Sequence, residues 1–171
     1  MENIDQIFVM NGPKVFLLAE PGGIGETVDR IKARYATPVV KILDCRKMQR
    51  VCRMFMHMKS VLEFPSYFGW NWNALDECLG DLEWLPGDAV FLIFTHGDML
   101  LAKADDADLA NLLQYLDYHG RDWAKLIDRQ RDQFDEAKPP TIYHSIICVE
   151  PAELERTRRR FAGFAETLKE L

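Results

Sequence analysis

The chain has 171 residues, and its hydrophobic content of 48% is enough for one domain with a sizeable core. Its net charge of −6 argues against a nucleic-acid-binding protein, because gripping phosphates needs clustered lysine and arginine. The N-terminal segment 1–10 carries acids and no long apolar run. We therefore expect no signal peptide and no contact with a membrane, and we place the protein in the cytoplasm.

The first part of the chain predicts two successive strand-and-helix pairs. Residues 14–19 form an apolar run that ends at a Pro-Gly-Gly turn, and residues 26–35 show helical spacing. Residues 38–43 form a second apolar run, which is followed by a helical pattern over 47–62. Both runs are predicted to form strands.

The middle of the chain predicts a short helix and then a strand. A segment rich in turn formers leads into residues 72–79, which are amphipathic and which Gly80 can terminate. The run 89–94, Ala-Val-Phe-Leu-Ile-Phe, is rich in strand-forming residues and predicts a fully buried strand.

The last part predicts two helices, a strand and a terminal helix. Apolar residues recur at helical spacing in 106–118 and again in 121–137, with a break near Gly120. Residues 141–149 form the last apolar run, and residues 153–171 are charged and helical in pattern. Strands that alternate with helices predict the α/β class, with a small, mainly parallel sheet packed with helices.

The charge distribution is most unusual in residues 60–102. This window contains no Lys or Arg, although the chain has 21, and it contains seven acidic residues. Three of the four tryptophans, Trp70, Trp72 and Trp84, lie in the same window. Acidic and aromatic side chains in one region indicate a protein interface that favours a basic partner.

Helical geometry divides the short helix of this window into two faces. Trp72, Leu75 and Leu79 share one side and are expected to pack inward. Asn73, Asp76, Glu77 and Gly80 share the other side and are expected to face solvent. Either Asn71 or Asn73 can cap the start of the helix, which would order the preceding loop.

Residues 65–79 read Pro-Ser-Tyr-Phe-Gly-Trp-Asn-Trp-Asn-Ala-Leu-Asp-Glu-Cys-Leu. Without a gap, this stretch resembles the loop and second helix of the barstar family. The resemblance implies a small parallel sheet with packed helices over residues 38–150. It also implies an inhibitor whose loop and helix enter the active site of a ribonuclease, where a carboxylate stands in for an RNA phosphate.

Individual residues can be carried over from the resemblance. Tyr67, Gly69 and Asn71 match loop positions of the family, Glu77 matches its key helix acid, and Glu136 is a weaker match to a peripheral acid. The chain departs from the family pattern at three helix positions. It has Asn73 where aspartate is frequent and Asp76 where an aromatic residue is frequent, and its key acid is glutamate rather than aspartate.

These considerations predict a binding protein without catalytic residues, metal or cofactor, whose partner is a basic protein, first of all a ribonuclease. The predicted partner-binding residues are Tyr67, Gly69, Trp70, Asn71, Asn73, Asp76, Glu77, Asp81, Trp84 and Glu136. The flanking segments 1–37 and 151–171 are predicted to be an N-terminal strand-and-helix extension and a C-terminal helical extension. An alternative is a non-inhibitory interaction module in which these extensions make the contacts.

Other functions have weaker support in the sequence. Residues 21–27 resemble a phosphate-binding loop in position, but Glu26 stands where phosphate needs a cation. His96 and Asp98 follow a predicted strand, where α/β enzymes place catalytic groups, but no nucleophile motif accompanies them. The four cysteines and four histidines lack metal-ligand spacing, so we expect reduced, mostly buried thiols.

Overall fold

The computed structural model of the protein describes residues 4–21, 23–125, 141–164 and 167–171. The strands in these ranges are β1 Val15–Ala19, β2 Pro38–Asp44, β3 Ala89–Thr95, β4 Ile142–Val149 and β5 Leu168–Glu170. The α-helices are α1 Gly25–Arg34, α2 Val51–Val61, α3 Trp72–Asp81, α4 Asp106–Ala124 and α5 Leu154–Phe161.

All described strands belong to one parallel sheet with the order β2-β3-β4-β1-β5. The central strands β3 and β4 are buried along almost their whole length, whereas β2 and β5 at the edges are half-buried or exposed at most positions. Near-continuous apolar runs are typical of parallel strands that are covered on both faces. The predicted α/β class with a mainly parallel sheet is therefore confirmed.

Alternate side chains of the sheet belong to two separate hydrophobic cores, one on each face. Val90, Leu92 and Phe94 of β3 pack on the face that also buries Leu79 of α3, together with residues of α2 and α4. The intervening residues of β3 pack on the opposite face with Ile31 of α1. Helices α2, α3 and α4 therefore share one face of the sheet, and α3 is held over it by its neighbours.

The terminal segments are part of this sheet. β1 lies between β4 and β5, with Val15 in register with Ser145 on one side and with Leu168 on the other. Segment 1–37 therefore supplies an interior strand. The helix predicted over 153–171 is wrong beyond α5, because residues 168–170 pair with β1 as a strand.

Residues 106–124 form one continuous helix, so the break predicted near Gly120 is wrong. A Cβ at Gly120 would lie 2.6 Å from the Cβ of Lys14 and 2.7 Å from the backbone oxygen of Tyr143. Glycine is needed here because α4 approaches the sheet closely, although glycine normally weakens a helix interior. Most of the second predicted helix, 126–137, lies outside the described residues.

The cysteines behave as the sequence predicts, apart from one exposed position. Cys45, Cys78 and Cys148 are buried and Cys52 is exposed, and all four are free. Burial raises the pKa of the Cys45 thiol well above its usual value, so this side chain packs as an apolar group. No helix in the described ranges has the length and apolar character needed to cross a lipid bilayer.

A buried histidine links the sheet to the N-terminal segment. His144 of β4 donates from Nδ1 to the backbone oxygen of Ile7 at 2.7 Å, and its Nε2 lies 3.5 Å from Nζ of Lys14. Burial is the main cause that lowers the pKa of His144 from 6.5 to about 4; the positive charge of Lys14 acts in the same direction, and the hydrogen bond to Ile7 acts against it. The imidazole is therefore neutral in the folded protein at pH 7.

This histidine predicts a loss of stability in mild acid. In the unfolded chain His144 is protonated below about pH 6.5, whereas in the folded chain it stays neutral down to about pH 4. The contribution of this group to stability is therefore full above pH 6.5 and is lost as the pH falls below that value. The loss should approach 1.4 kcal/mol per pH unit for this group. The free energy of unfolding, measured by urea denaturation between pH 6.5 and 4.5, should fall less steeply with decreasing pH in His144→Gln than in wild type. Equal slopes would show that His144 is not the group responsible for the loss.

Candidate protein-interaction site

The loop between α2 and α3 is fixed by hydrogen bonds to its backbone. Nζ of Lys59 lies 3.3 Å from the carbonyl oxygens of both Phe64 and Pro65, and Nε1 of Trp84 donates to the carbonyl oxygen of Leu62 at 2.8 Å. These bonds satisfy carbonyl groups that a turning chain would otherwise leave to solvent. The loop is consequently held in one shape by bonds within the chain.

Aromatic side chains of this loop alternate between the core and the surface. Phe64 and Phe68 are buried, with ring centroids 5.0 Å apart, and Phe68 also contacts Phe55 of α2. Tyr67 is 74% exposed and Trp70 is 52% exposed. Large aromatic side chains held in solvent on a rigid loop are typical of interface anchors.

Asn71 joins the loop to α3. The sequence predicts that either Asn71 or Asn73 caps this helix, and the cap is Asn71. Its Oδ1 accepts from the backbone N–H of Ala74 at 2.9 Å, which caps α3, and its Nδ2 donates to the carbonyl oxygen of Gly69 at 3.0 Å. A Cβ at Gly69 would lie 3.1 Å from Nδ2 of Asn71. A side chain at position 69 would therefore crowd the amide that makes both bonds.

The apolar face of α3 follows the predicted periodicity, whereas two of the four residues expected on the solvent side, Asp76 and Gly80, are half-buried. Leu75 and Leu79 are buried, and Trp72 packs against other aromatic rings of α2 and α4. The opposite side exposes Asn73, Glu77 and Asp81 at intervals of four residues. An interval of four places these three side chains in one row along the helix.

Asp76 differs from the other acids of α3 because it bonds within the protein. Its Oδ1 lies 2.7 Å from Nε2 of His119 on α4, whose side chain is only 7% exposed. Asp76 itself is 43% exposed. The expectation that Asp76 simply faces solvent thus needs correction, since this carboxylate ties α3 to α4.

Gly80 brings α3 close to the same histidine. A Cβ at this position would lie 2.9 Å from Cε1 of His119, and the Gly80 carbonyl oxygen accepts from Nε1 of Trp123 at 3.1 Å. The prediction that Gly80 ends the helix is wrong. Helix α3 continues to Asp81 and ends at Leu82, whose φ of 42° is left-handed.

The acids of the 60–102 window differ in how far other groups already neutralise them. Glu63 pairs with Lys41, and Asp88 accepts two backbone N–H groups from the turn before β2. Within the described part of the chain, Glu77 and Asp81 form no ion pair. The exposed row of α3 therefore carries two carboxylates that no cation of the described residues neutralises.

Trp84, one of the predicted partner-binding residues, lies beneath this exposed surface. Trp84 is half-buried, packs on Phe64 and donates its ring N–H to the backbone of the loop, so it supports the site from below. Glu136 lies outside the described residues. Two contributors from outside the window, Lys59 and His119, had no local sequence signal, because each reaches the site only through tertiary packing.

The alternative sites gain little support from the geometry. His96 faces Asp44, with Nδ1 3.6 Å from Oδ1, instead of pairing with Asp98. Thr27 donates its hydroxyl to the carboxylate of Glu20, whose pKa is raised by burial, so the 21–27 turn is bordered by acids where phosphate would need a cation. The described ranges contain no group of three His, Cys, Asp or Glu side chains arranged to hold a metal.

The two asparagines of the helix start provide a matched test of the loop geometry. Asn71→Ala removes the cap and the bond to Gly69, and should lower the free energy of unfolding by about 1–2 kcal/mol. Asn73→Ala removes an exposed side chain and should change it by less than about 0.5 kcal/mol. Urea denaturation of both variants measures this difference; equal effects would show that Asn71 does not organise the loop.

Comparison with solved structures finds a similar fold in proteins of low sequence identity. Two structures of the Aeropyrum pernix ORC2 protein, an ADPNP-ADP complex and an ADP form, match with TM-scores of 0.52 and 0.56 at 11% identity. The matches cover 92% and 98% of this chain but only 41% and 44% of those chains. At this identity the likeness concerns the fold alone. No curated protein matches the chain.

A family model described as Barstar (barnase inhibitor) matches residues 39–170. The match reaches through α5 and β5, whereas the resemblance in the sequence was traced only to residue 150. It includes the loop and helix described above and covers more than half of the chain. The chain belongs to the barstar family.

Proposed function

We propose that this protein inhibits a ribonuclease by placing an acidic, aromatic surface over the basic active site of the enzyme. The surface, called here the recognition face, consists of Tyr67, Trp70, Asn73, Glu77 and Asp81. The observation that carries the proposal is that all five side chains are exposed on a loop and helix that internal bonds hold in shape. Membership of the barstar family supports the choice of a ribonuclease as partner.

The charge of the recognition face suits an enzyme that binds RNA. A ribonuclease active site presents cations to phosphate groups, and an exposed carboxylate can accept the same charge-assisted hydrogen bonds. Glu77 occupies the middle of the exposed row, with Asp81 one turn further along. Burial and the negative charges of Asp81 and Glu77 raise the pKa of the Cys78 thiol, which agrees with a negative field at this helix.

The loop supplies the apolar part of the interface. Tyr67 and Trp70 offer large, rigid surfaces that lose little conformational entropy on binding. Lys59 lies 5.7 Å from the ring centroid of Trp70, so the ring is supported from the protein side. Because the loop is already ordered, little ordering cost opposes association.

In this proposal the protein acts as an immunity protein in the cytoplasm of the producing cell. Inhibition requires only a complementary surface, so neither a cofactor nor a catalytic residue takes part. Asp76 has an internal role, since its bond to His119 fixes the helix that carries Glu77. Gly69 and Asn71 likewise shape the face, and Trp84 braces it from the core.

The proposal is tested by capture followed by an inhibition assay. Immobilised wild type is exposed to lysate and secreted proteins of the source organism, and retained proteins are identified by mass spectrometry. We expect a basic ribonuclease whose cleavage of RNA falls when purified chain is added. Glu77→Lys/Asp81→Lys should abolish capture and inhibition, whereas Glu26→Lys/Asp29→Lys on α1 makes the same charge change elsewhere and should preserve both.

Two outcomes would contradict the proposal. Equal loss in both double variants would show that net charge, and not the recognition face, governs binding. Capture of the same non-nuclease partners by wild type and by Glu77→Lys/Asp81→Lys would favour the non-inhibitory interaction module.

The electrostatic part of the proposal predicts a salt-dependent association rate. Raising ionic strength from about 0.01 M to 0.15 M shortens the Debye length from about 30 to 8 Å, which screens the steering of a basic partner. The rate constant measured by stopped flow should fall about tenfold or more over this range. In Glu77→Lys/Asp81→Lys the association rate constant should depend less on ionic strength. A wild-type rate constant that is the same at low and high ionic strength would refute electrostatic steering.

A further inference from the structure

A cleft of about 510 Å³ beside the start of α2 collects positive charge in this acidic protein. Five of its nine lining residues are basic, and none is acidic. The basic residues are Arg46, Lys47, Arg50, Arg53 and Lys103. None of the lining residues belongs to the recognition face, so the cleft is a separate feature of the surface.

The fold assembles this cleft from two distant segments. The chain turns after β2 through a short 3-10 helix, Cys45–Lys47, and enters α2 at Val51. The backbone N–H groups of Leu101 and Lys103 donate to the carbonyl oxygens of residues 48 and 49, at 3.1 and 2.8 Å. These two bonds fix Lys103 opposite the basic side chains of the α2 segment.

Most of the positive charge in the cleft is uncompensated. Arg46 is held by the carboxylate of Asp44, with Nη2 2.9 Å from Oδ2. In the described ranges, Lys47, Arg50, Arg53 and Lys103 form no ion pair. The arginines of α5 behave differently, because three of them bond to nearby glutamates. Like charges gathered in one concavity repel each other, and a bound anion would relieve that repulsion.

Neutral hydrogen-bonding groups complete the lining. Nε2 of His57 accepts from the backbone N–H of Asp44 at 3.0 Å, so the proton of the neutral ring resides on Nδ1. Gln49 and Ser60 add an amide and a hydroxyl.

We propose that this cleft binds a small ligand that carries several phosphate groups. Four cations that form no ion pair with any described residue exceed what one carboxylate or one phosphate can neutralise, whereas an oligophosphate matches them in charge. Arginine in particular binds phosphate oxygens in a bidentate manner. The volume lies in the usual range for small-molecule sites, about 300–1,000 Å³.

The test uses the full chain and inorganic tripolyphosphate, measured by isothermal titration calorimetry at low ionic strength. Wild type should bind with saturation, and Arg50→Glu/Arg53→Glu should weaken binding by about tenfold or more, because charge-assisted hydrogen bonds are lost. Lys32→Glu/Arg34→Glu, on α1, makes the same charge change outside the cleft and should keep the affinity within about twofold. Lys103→Glu changes the opposite wall of the cleft and should also weaken binding.

Circular dichroism melting curves check that each variant is folded. If Arg50→Glu/Arg53→Glu does not fold, the affinity of Lys103→Glu for tripolyphosphate serves as the test. Three results would overturn the proposal. They are the absence of saturable tripolyphosphate binding to wild type, equal weakening by the cleft and α1 variants, and binding of a single-stranded RNA oligonucleotide without any binding of tripolyphosphate.

Discussion

The bond between Asp76 and His119 decides which surface α3 presents. It joins α3 to α4 at 2.7 Å, and Gly80 allows the histidine ring to approach the helix backbone. With α3 fixed in rotation, Leu75 and Leu79 point into the core and Glu77 and Asp81 point into solvent. Without this bond, the acidic row would depend on the burial of a short apolar stripe and on the hydrogen bond from Trp123 to the Gly80 carbonyl oxygen. The proposed recognition face thus rests on an interaction that lies beneath it.

The loop between α2 and α3, like helix α3, is held in place by groups that lie beneath the exposed surface. Lys59 and Trp84 satisfy loop carbonyl groups from below, and Asn71 bonds to both the loop and the helix. Tyr67 and Trp70 remain exposed because their neighbours Phe64 and Phe68 take the buried positions. Preorganisation of this kind reduces the entropy lost on binding, which favours tight association with a partner of fixed shape.

Features set by short-range pattern were predictable from the sequence, and features set by tertiary contact were not. Apolar runs predicted β1 to β4, and the spacing of Leu75 and Leu79 predicted the buried side of α3. Residues 168–170 form a strand only because they pair with β1, and Gly120 is helical because α4 must approach the sheet. The bond of Asp76 to His119 and the basic cleft likewise join residues far apart in sequence, which no local pattern records.

The central claim is that the recognition face occupies the active site of a ribonuclease, so that inhibitor and RNA exclude each other. The most direct measurement is the affinity of the chain for its captured ribonuclease, with and without a saturating, uncleavable oligonucleotide in the active site. We expect the oligonucleotide and the chain to compete, so the apparent dissociation constant should rise when the oligonucleotide is present and rise further at higher oligonucleotide concentration. An unchanged dissociation constant would place the chain elsewhere on the enzyme and contradict the account.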